Sequence, residues 1–237
     1  MTYILLVAGK GTRLYPLTAS YPKCLYKLDE NTTTINRMVN LIKANDKNAE
    51  IVLVTGFMDD VIKQEVGDDV IYIFNPFYSV TNSIASLWFA REYLNREQVT
   101  IINGDIVMSE RAVKEILCAK QDKPLVLLDS SVKSAGDYNV QVNGEYVVVM
   151  SKNLKNYFGE YVGITILNHT ICKQMLSVLD KMIAEEQFDA WYEDVVVRMI
   201  FRDSKSFFYL DVCDYDWTEI DDVDDLLKAK EIHNSLR

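Results

Sequence analysis

The stretch Tyr3-Ile4-Leu5-Leu6-Val7-Ala8-Gly9-Lys10-Gly11-Thr12-Arg13-Leu14 decides how the chain is read: an unbroken apolar run opens into a loop carrying two glycines and two cations. An apolar run without polar alternation belongs to a strand covered on both faces, as in the middle of a parallel sheet. A glycine-bearing loop at the carboxyl end of such a strand is where open α/β sheets bind ligands, because small residues let backbone N–H groups approach a ligand closely. Glycine and proline are scarce, nine and four in 237 residues, yet Gly9, Gly11, Pro16 and Pro22 crowd together here.

Outward from this loop, further continuous apolar runs occur at residues 51–54 (IVLV), 70–74 (VIYIF), 99–102 (VTII) and 125–128 (LVLL). Between them, residues 35–44 place Ile35, Met38, Val39 and Ile42 at helical spacing, and residues 82–94 do the same with Ile84, Leu87, Trp88 and Ala90. Strands alternating with helices predict an α/β fold with an open, mostly parallel sheet and right-handed crossovers. The second half differs. Residues 138–142 and 146–150 flank Asn143-Gly144, a hairpin signal; residues 161–167 and 207–212 read as strands, and 170–186, 191–201 and 221–234 as helices. Neither a linker nor a repeat separates the halves, so a single domain over 1–237 is expected, with residues 131–237 covering a site built by 1–130.

Charge narrows the partners. The net charge is −10, but residues 1–120 hold 13 basic and 14 acidic side chains against 12 and 21 in the remainder. The first 28 residues carry Lys10, Arg13, Lys23 and Lys27 and no carboxylate, whereas residues 214–225 carry seven carboxylates and no base. Nucleic acid is disfavoured as a partner, since such binders need a broad basic surface; a small anion held by a local basic loop is not. No apolar run approaches the roughly 18–20 residues that span a bilayer, and the first residues lack the charged start of a signal peptide, so membrane insertion is not expected and a cytoplasmic location is. Four dispersed cysteines and two histidines, His169 and His233, support neither a zinc site nor a Cys–His or Ser–His nucleophile. Chemistry must therefore run on carboxylates, Lys, Arg and backbone amides.

Within the glycine loop, Arg13 can grip phosphate oxygens bidentately while Lys10 and Lys23 supply point charge. The loop is neither a Walker A sequence, which requires G-x-x-x-x-G-K-[ST], nor a dinucleotide fingerprint, whose third small residue is here Leu14. Ala8-Gly9-x-Gly11-Thr12-Arg13-Leu14, Pro16-Leu17-Thr18 and Pro22-Lys23-Cys24-Leu25 together resemble the signature of the nucleotidyltransferases that make sugar nucleotides and CDP-activated alcohols. The similarity continues through Val54-Thr55-Gly56-Phe57, Asn103-Gly104-Asp105, residues 159–164 and Trp217-Thr218-Glu219-Ile220-Asp221. Asn75 with Tyr78-x-x-Thr81-Asn82-Ser83-Ile84-x-Ser86-Leu87 is most similar to the phosphocholine and aminoalkylphosphonate cytidylyltransferases.

The resemblance implies a Rossmann-like, mostly parallel mixed sheet flanked by helices, of the nucleotide-diphospho-sugar transferase type, with a nucleotide-binding half (1–130) and an acceptor-binding, closing half (131–237). It implies Mg²⁺-dependent transfer of CMP from CTP to a small phosphate or phosphonate, phosphocholine and 2-aminoethylphosphonate leading, with release of pyrophosphate. Arg13 and Lys23 would hold the phosphates, Asp105 and Asp221 the metal, and Ala8, Gly9, Gly11, Thr12, Thr81, Asn82 and Ser83 the nucleotide. A cationic acceptor would want aromatic faces and carboxylates, for which Tyr138, Glu160, Tyr161, Trp191, Tyr192 and Glu193 are the candidates. Three readings stay open beside this one: a hexose-1-phosphate uridylyl- or thymidylyltransferase, a catalytically silent regulatory relative and, more distantly, an NAD-dependent oxidoreductase. A homo-oligomer is compatible with all of them. Asn82 and Asp221 could equally serve as helix N-caps.

Overall fold

The computed structural model describes residues 1–11, 21–131 and 138–235; Thr12 and Arg13 lie outside them. Successive side chains of a strand point to opposite faces of its sheet, and in β1 (Thr2–Leu6) both faces are covered. Ile4 packs with Val52, Val54, Val99 and Ile101 and with Ile84 and Leu87, whereas Tyr3 and Leu5 pack with Ile51, Leu53 and Ile102 and with Ile35, Met38 and Ile42. One unbroken apolar run thus feeds two cores, one on either side of the sheet, which is why the strand lacks polar alternation.

The elements around β1 are α1 (Thr34–Asn45), β2 (Glu50–Thr55), α2 (Asp59–Val66), β3 (Ile71–Phe74), α3 (Ser83–Phe89) and β4 (Gln98–Asn103). Then follow β5 (Ile106–Met108), α4 (Glu110–Ala112) running into a π turn, β6 (Leu125–Asp129), β7 (Asn139–Asn143), β8 (Tyr146–Ser151), β9 (Gly159–Asn168), α5 (His169–Ala184), α6 (Glu193–Asp203), β10 (Phe208–Asp211), β11 (Trp217–Glu219) and α7 (Val223–Asn234). Nine strands form one sheet in the order β3-β2-β1-β4-β9-β6-β10-β8-β7. β3, β2, β1 and β4 are mutually parallel, as expected for the first half. β9, from the second half, runs antiparallel between β4 and β6, so the sheet is mixed and interleaves the two halves. Gly144, at φ +59°, makes the expected β7–β8 turn.

Four of the described elements were not legible in the sequence, among them α4, three residues long before its π turn. α2 is short, with only Ile62 fully covered. β5 and β11, three residues each, pair antiparallel outside the main sheet, and runs that short carry no periodicity. This two-stranded ribbon matters most for function, because it determines where the acidic C-terminal stretch lies.

Candidate active site

β1 and β4 are parallel neighbours, with Leu6 opposite Asn103, and their carboxyl ends meet at the point where the strand order reverses, the usual ligand site of such sheets. The two ends approach closely: the Gly104 amide donates to the Leu6 carbonyl at 3.0 Å. A Cβ at Gly104 would lie 2.6 Å from that oxygen and 2.6 Å from a Val7 methyl, so only glycine fits. Gly11 adopts φ +64°, and a Cβ at Gly9 would meet nothing within 4 Å, leaving open space above the loop.

The ribbon brings the acids. Glu219 of β11 pairs with Ile106 of β5, and the next amide, that of Ile220, donates to the Asp105 carbonyl at 3.0 Å. The buried Trp217 anchors β11 by donating its indole N–H to Asp129 at 2.7 Å, and Arg37 of α1 anchors β5 by donating to the Met108 carbonyl at 2.6 Å. α7 is capped by Asp222, not Asp221: Asp222 and Asp225 form a reciprocal capping box. Asp221 is therefore left facing the site. Oxygens of Asp105, Glu219 and Asp221 lie within 4.8 Å of one another.

Lys23 sits at the centre of this cluster, on a 3-10 turn (Lys23–Leu25) that buries Cys24 and Leu25. Its Nζ lies 2.5 Å from Asp221 and 3.4 Å from Asp105. Burial works against the ammonium, but Asp105, Asp221 and Glu219 outweigh it and hold the Lys23 pKa above the ordinary lysine value. Burial raises the Asp105 carboxyl, with Lys23 opposing and Asp221 adding to the rise. Three carboxylates converge on one lysine here, and an all-oxygen, partly covered donor set of this kind fits a hard divalent cation. Asp105 and Asp221 are the expected metal pair; Glu219, which alternation along an extended segment places on the same side as Asp221, joins them in the cluster.

A cavity of about 200 Å³ lies between the glycine loop and these acids. Ala8, Gly9, Gly11, Lys23, Asp105 and Asp221 border it, as do Thr81, Asn82 and Ser83. The Asn82 side chain accepts from the Ser83 amide at 2.8 Å, so this residue both caps α3 and faces the cavity. Asn75, fully buried, donates to Thr81 and Ser86 at 3.3 and 3.1 Å and accepts from the Phe77 amide, bracing the segment from behind. The Tyr192 amide donates to Ser83 Oγ at 2.8 Å, tying the start of α3 to the start of α6. Cys24 only packs; burial pushes its thiol up to about 12.

The six acceptor candidates do not form one open cage. Trp191 borders the cavity. The Tyr138 ring stands 5.8 Å from that of Trp191, centroid to centroid, and its hydroxyl donates to Asp194 at 2.8 Å. Tyr161 and Tyr192 are buried in the core, their hydroxyls bonded to each other and Tyr161 also to Thr165; they offer a ligand no ring face, which corrects that part of the expectation. Glu160 sits on β9 opposite Asp129 and Asn139. Glu193 is only 1% exposed; it accepts from Asn103 at 3.2 Å, and burial pushes its carboxyl up to about 8. Lys152, which no sequence signal marked, lies with its Nζ 3.4 Å from the centre of the Trp191 ring.

The chain is similar to several known proteins. The chain is 24% identical over 250 residues to the CTP:phosphoglutamine cytidylyltransferase of Campylobacter jejuni, covering 95% of this chain and 98% of that protein. It is 23% identical to the CMP-5'-(3-aminopropyl)phosphonate synthase of Streptomyces rubellomurinus, matching 95% of this chain but 38% of that longer protein. Among solved structures, the CTP:phosphocholine cytidylyltransferase of Streptococcus pneumoniae superposes with a TM-score of 0.76 at 21% identity over 98% of both chains. The description of one family, Nucleotidyl transferase, matches residues 2–144, the span that contains the glycine loop, Lys23, the Thr81–Ser83 segment and Asp105. The chain belongs to the nucleotidyl transferase family.

Proposed function

We propose that the protein transfers CMP from CTP to a small phosphate or phosphonate, with Mg²⁺ as the metal. The observation that carries the reading is the convergence of Lys23 with Asp105, Glu219 and Asp221 beside an open glycine loop, at the carboxyl ends of β1 and β4. The choice of CTP and of a small acceptor is supported by the relatives, two of them named as cytidylyltransferases of phosphoglutamine and choline phosphate and a third as a CMP-5'-(3-aminopropyl)phosphonate synthase.

An acceptor oxygen that is already anionic attacks the α-phosphorus of CTP. A new P–O bond forms, the bond to the β-phosphate oxygen breaks, and pyrophosphate leaves with the bonding electron pair. No proton need be removed from the nucleophile, which suits a site built without histidine. Catalysis then rests on positioning and on neutralising charge as it redistributes over the phosphates. The amides around Gly9 and Gly11 would approach the triphosphate, and Lys23 would hold the α-phosphate and acceptor phosphate together. Arg13 and Thr12 would complete the phosphate side. Thr81, Asn82 and Ser83 would meet the base. Asp105, Glu219 and Asp221 would hold Mg²⁺, whose chemistry when bound is to offset phosphate charge.

Among the described residues, no helix is long and apolar enough to cross a membrane. The four cysteines are free thiols, which suits a reducing compartment and the cytoplasmic location proposed here. The test is pyrophosphate release measured with each of four nucleoside triphosphates against phosphocholine, 2-aminoethylphosphonate, polyol phosphates and hexose-1-phosphates. Turnover confined to CTP with a small phosphate or phosphonate is expected. Turnover of a hexose-1-phosphate with UTP or dTTP, or CTP binding without pyrophosphate release from any acceptor, would overturn the reading.

A further inference from the structure

Trp191, at the border of the cavity, already carries a cation on its ring. Lys152, in the turn just after β8, holds its Nζ 3.4 Å from the centre of the Trp191 ring and 5.6 Å from that of Tyr138, within the range over which a cation is attracted to an aromatic face. Trp191 borders the cavity, whereas Lys152 is otherwise exposed and free to present its N–H donors. The carboxylate beside these rings is engaged as well: Asp194 accepts from the Tyr138 hydroxyl at 2.8 Å through one oxygen and from the Trp191 amide at 2.9 Å through the other. Two rings and an acid are thus assembled as for a ligand ammonium, but the place of the ammonium is filled by the protein's own side chain.

Resting on the cytidylyltransferase reading, we infer that Lys152, seated on Trp191 and Tyr138, selects an acceptor carrying an anionic group such as a carboxylate at the end remote from its phosphate, and disfavours quaternary ammonium acceptors. A choline-like head reaching Trp191 would meet a like charge and an already covered ring face, whereas a carboxylate would accept charge-assisted hydrogen bonds from the same Nζ. The specificity thus follows from what the aromatic pair already holds.

Phosphoserine and phosphoethanolamine differ only by a carboxylate, and phosphocholine replaces the primary ammonium of the latter with a quaternary one. With CTP and Mg²⁺, the wild-type protein is expected to favour phosphoserine over both by about tenfold or more in kcat/KM, chiefly through KM, as for a site built to pair with the missing group. Lys152→Gln should bring the three acceptors to within about threefold of one another, and Lys152→Glu should reverse the order in favour of phosphocholine. Circular dichroism and the KM for CTP should stay unchanged in both variants. Equal or better use of phosphocholine or phosphoethanolamine by the wild type, or Lys152 variants with the wild-type acceptor order, would overturn the inference and leave the cytidylyltransferase reading standing. Failure of CTP to release pyrophosphate with any acceptor would overturn both.

Discussion

The backbone N–H of Ile220 donates to the carbonyl of Asp105 at 3.0 Å. This one bond, continuing the β5–β11 ladder by a residue, aligns the end of the ribbon with the end of β4. It brings Glu219 and Asp221, from an acidic stretch near the end of the chain, into one cluster with Asp105.

If that cluster holds the metal, Asp105→Asn and Glu219→Gln should each raise the Mg²⁺ concentration for half-maximal activity by about tenfold or more, a loss typical of damage to a metal site. Titration of pyrophosphate release with Mg²⁺, alongside Mn²⁺ binding followed by electron paramagnetic resonance, checks this. An unchanged Mn²⁺ affinity in Glu219→Gln would remove that residue from the ligand set.

Lys23→Ala should lower kcat about 10²–10³-fold, the scale of losing a positioned transition-state charge partner. It should also expose the repulsion among the three carboxylates that Lys23 faces. Urea unfolding in EDTA is expected to show the variant less stable than the wild type, with Mg²⁺ narrowing the gap; a gap that Mg²⁺ does not change would mean that metal and lysine do not share the site.

Gly104 and Gly9, both bordering the cavity, should respond differently to substitution. Gly104→Ala places a methyl group 2.6 Å from the Leu6 carbonyl oxygen and should cost about 1–3 kcal/mol in urea unfolding, as overpacking does. Gly9→Ala points into open space and should leave stability within about 0.5 kcal/mol while raising the KM for CTP. Equal stability losses would argue against an open space above Gly9.

Glu193 predicts a pH dependence. Burial raises its carboxyl to about 8, against its own backbone amide and Asn103, with Asp194 adding to the rise and Lys152 opposing it. Below the ordinary glutamate value both states hold the proton. Between there and about 8 the folded protein keeps a proton that the unfolded chain has lost, so this group's contribution to stability falls as pH rises and levels off above 8. Glu193→Gln should remove that slope, its advantage over the wild type growing from pH 5 to pH 8 in urea unfolding; parallel curves would refute the assignment.

The parallel half of the fold was legible because its signal is redundant: Tyr3, Ile4 and Leu5 are all apolar, since each face of β1 has its own core. The glycine loop and Asp105 were legible for a related reason, as each follows such a strand. β9 also read as a strand, but its position between β4 and β6 depends on long-range pairing that local pattern cannot carry. The acceptor side was the least legible. Tyr161, Trp191 and Tyr192 look alike in sequence, and only their surroundings separate two buried, mutually bonded tyrosines from a tryptophan at the cavity. Lys152 gave no signal, because a lysine in a turn ordinarily reads as solvated surface.

The β5–β11 ribbon also sets an order of events during synthesis. A nascent chain can complete the glycine loop, Lys23 and β4 while Trp217, Glu219 and Asp221 are still unmade, and until β11 pairs with β5 Asp105 stands alone against Lys23. A polypeptide stopped before β11 therefore carries the glycine loop without two of the three acids beside it. The three-acid cluster beside the glycine loop is complete only when the ribbon closes.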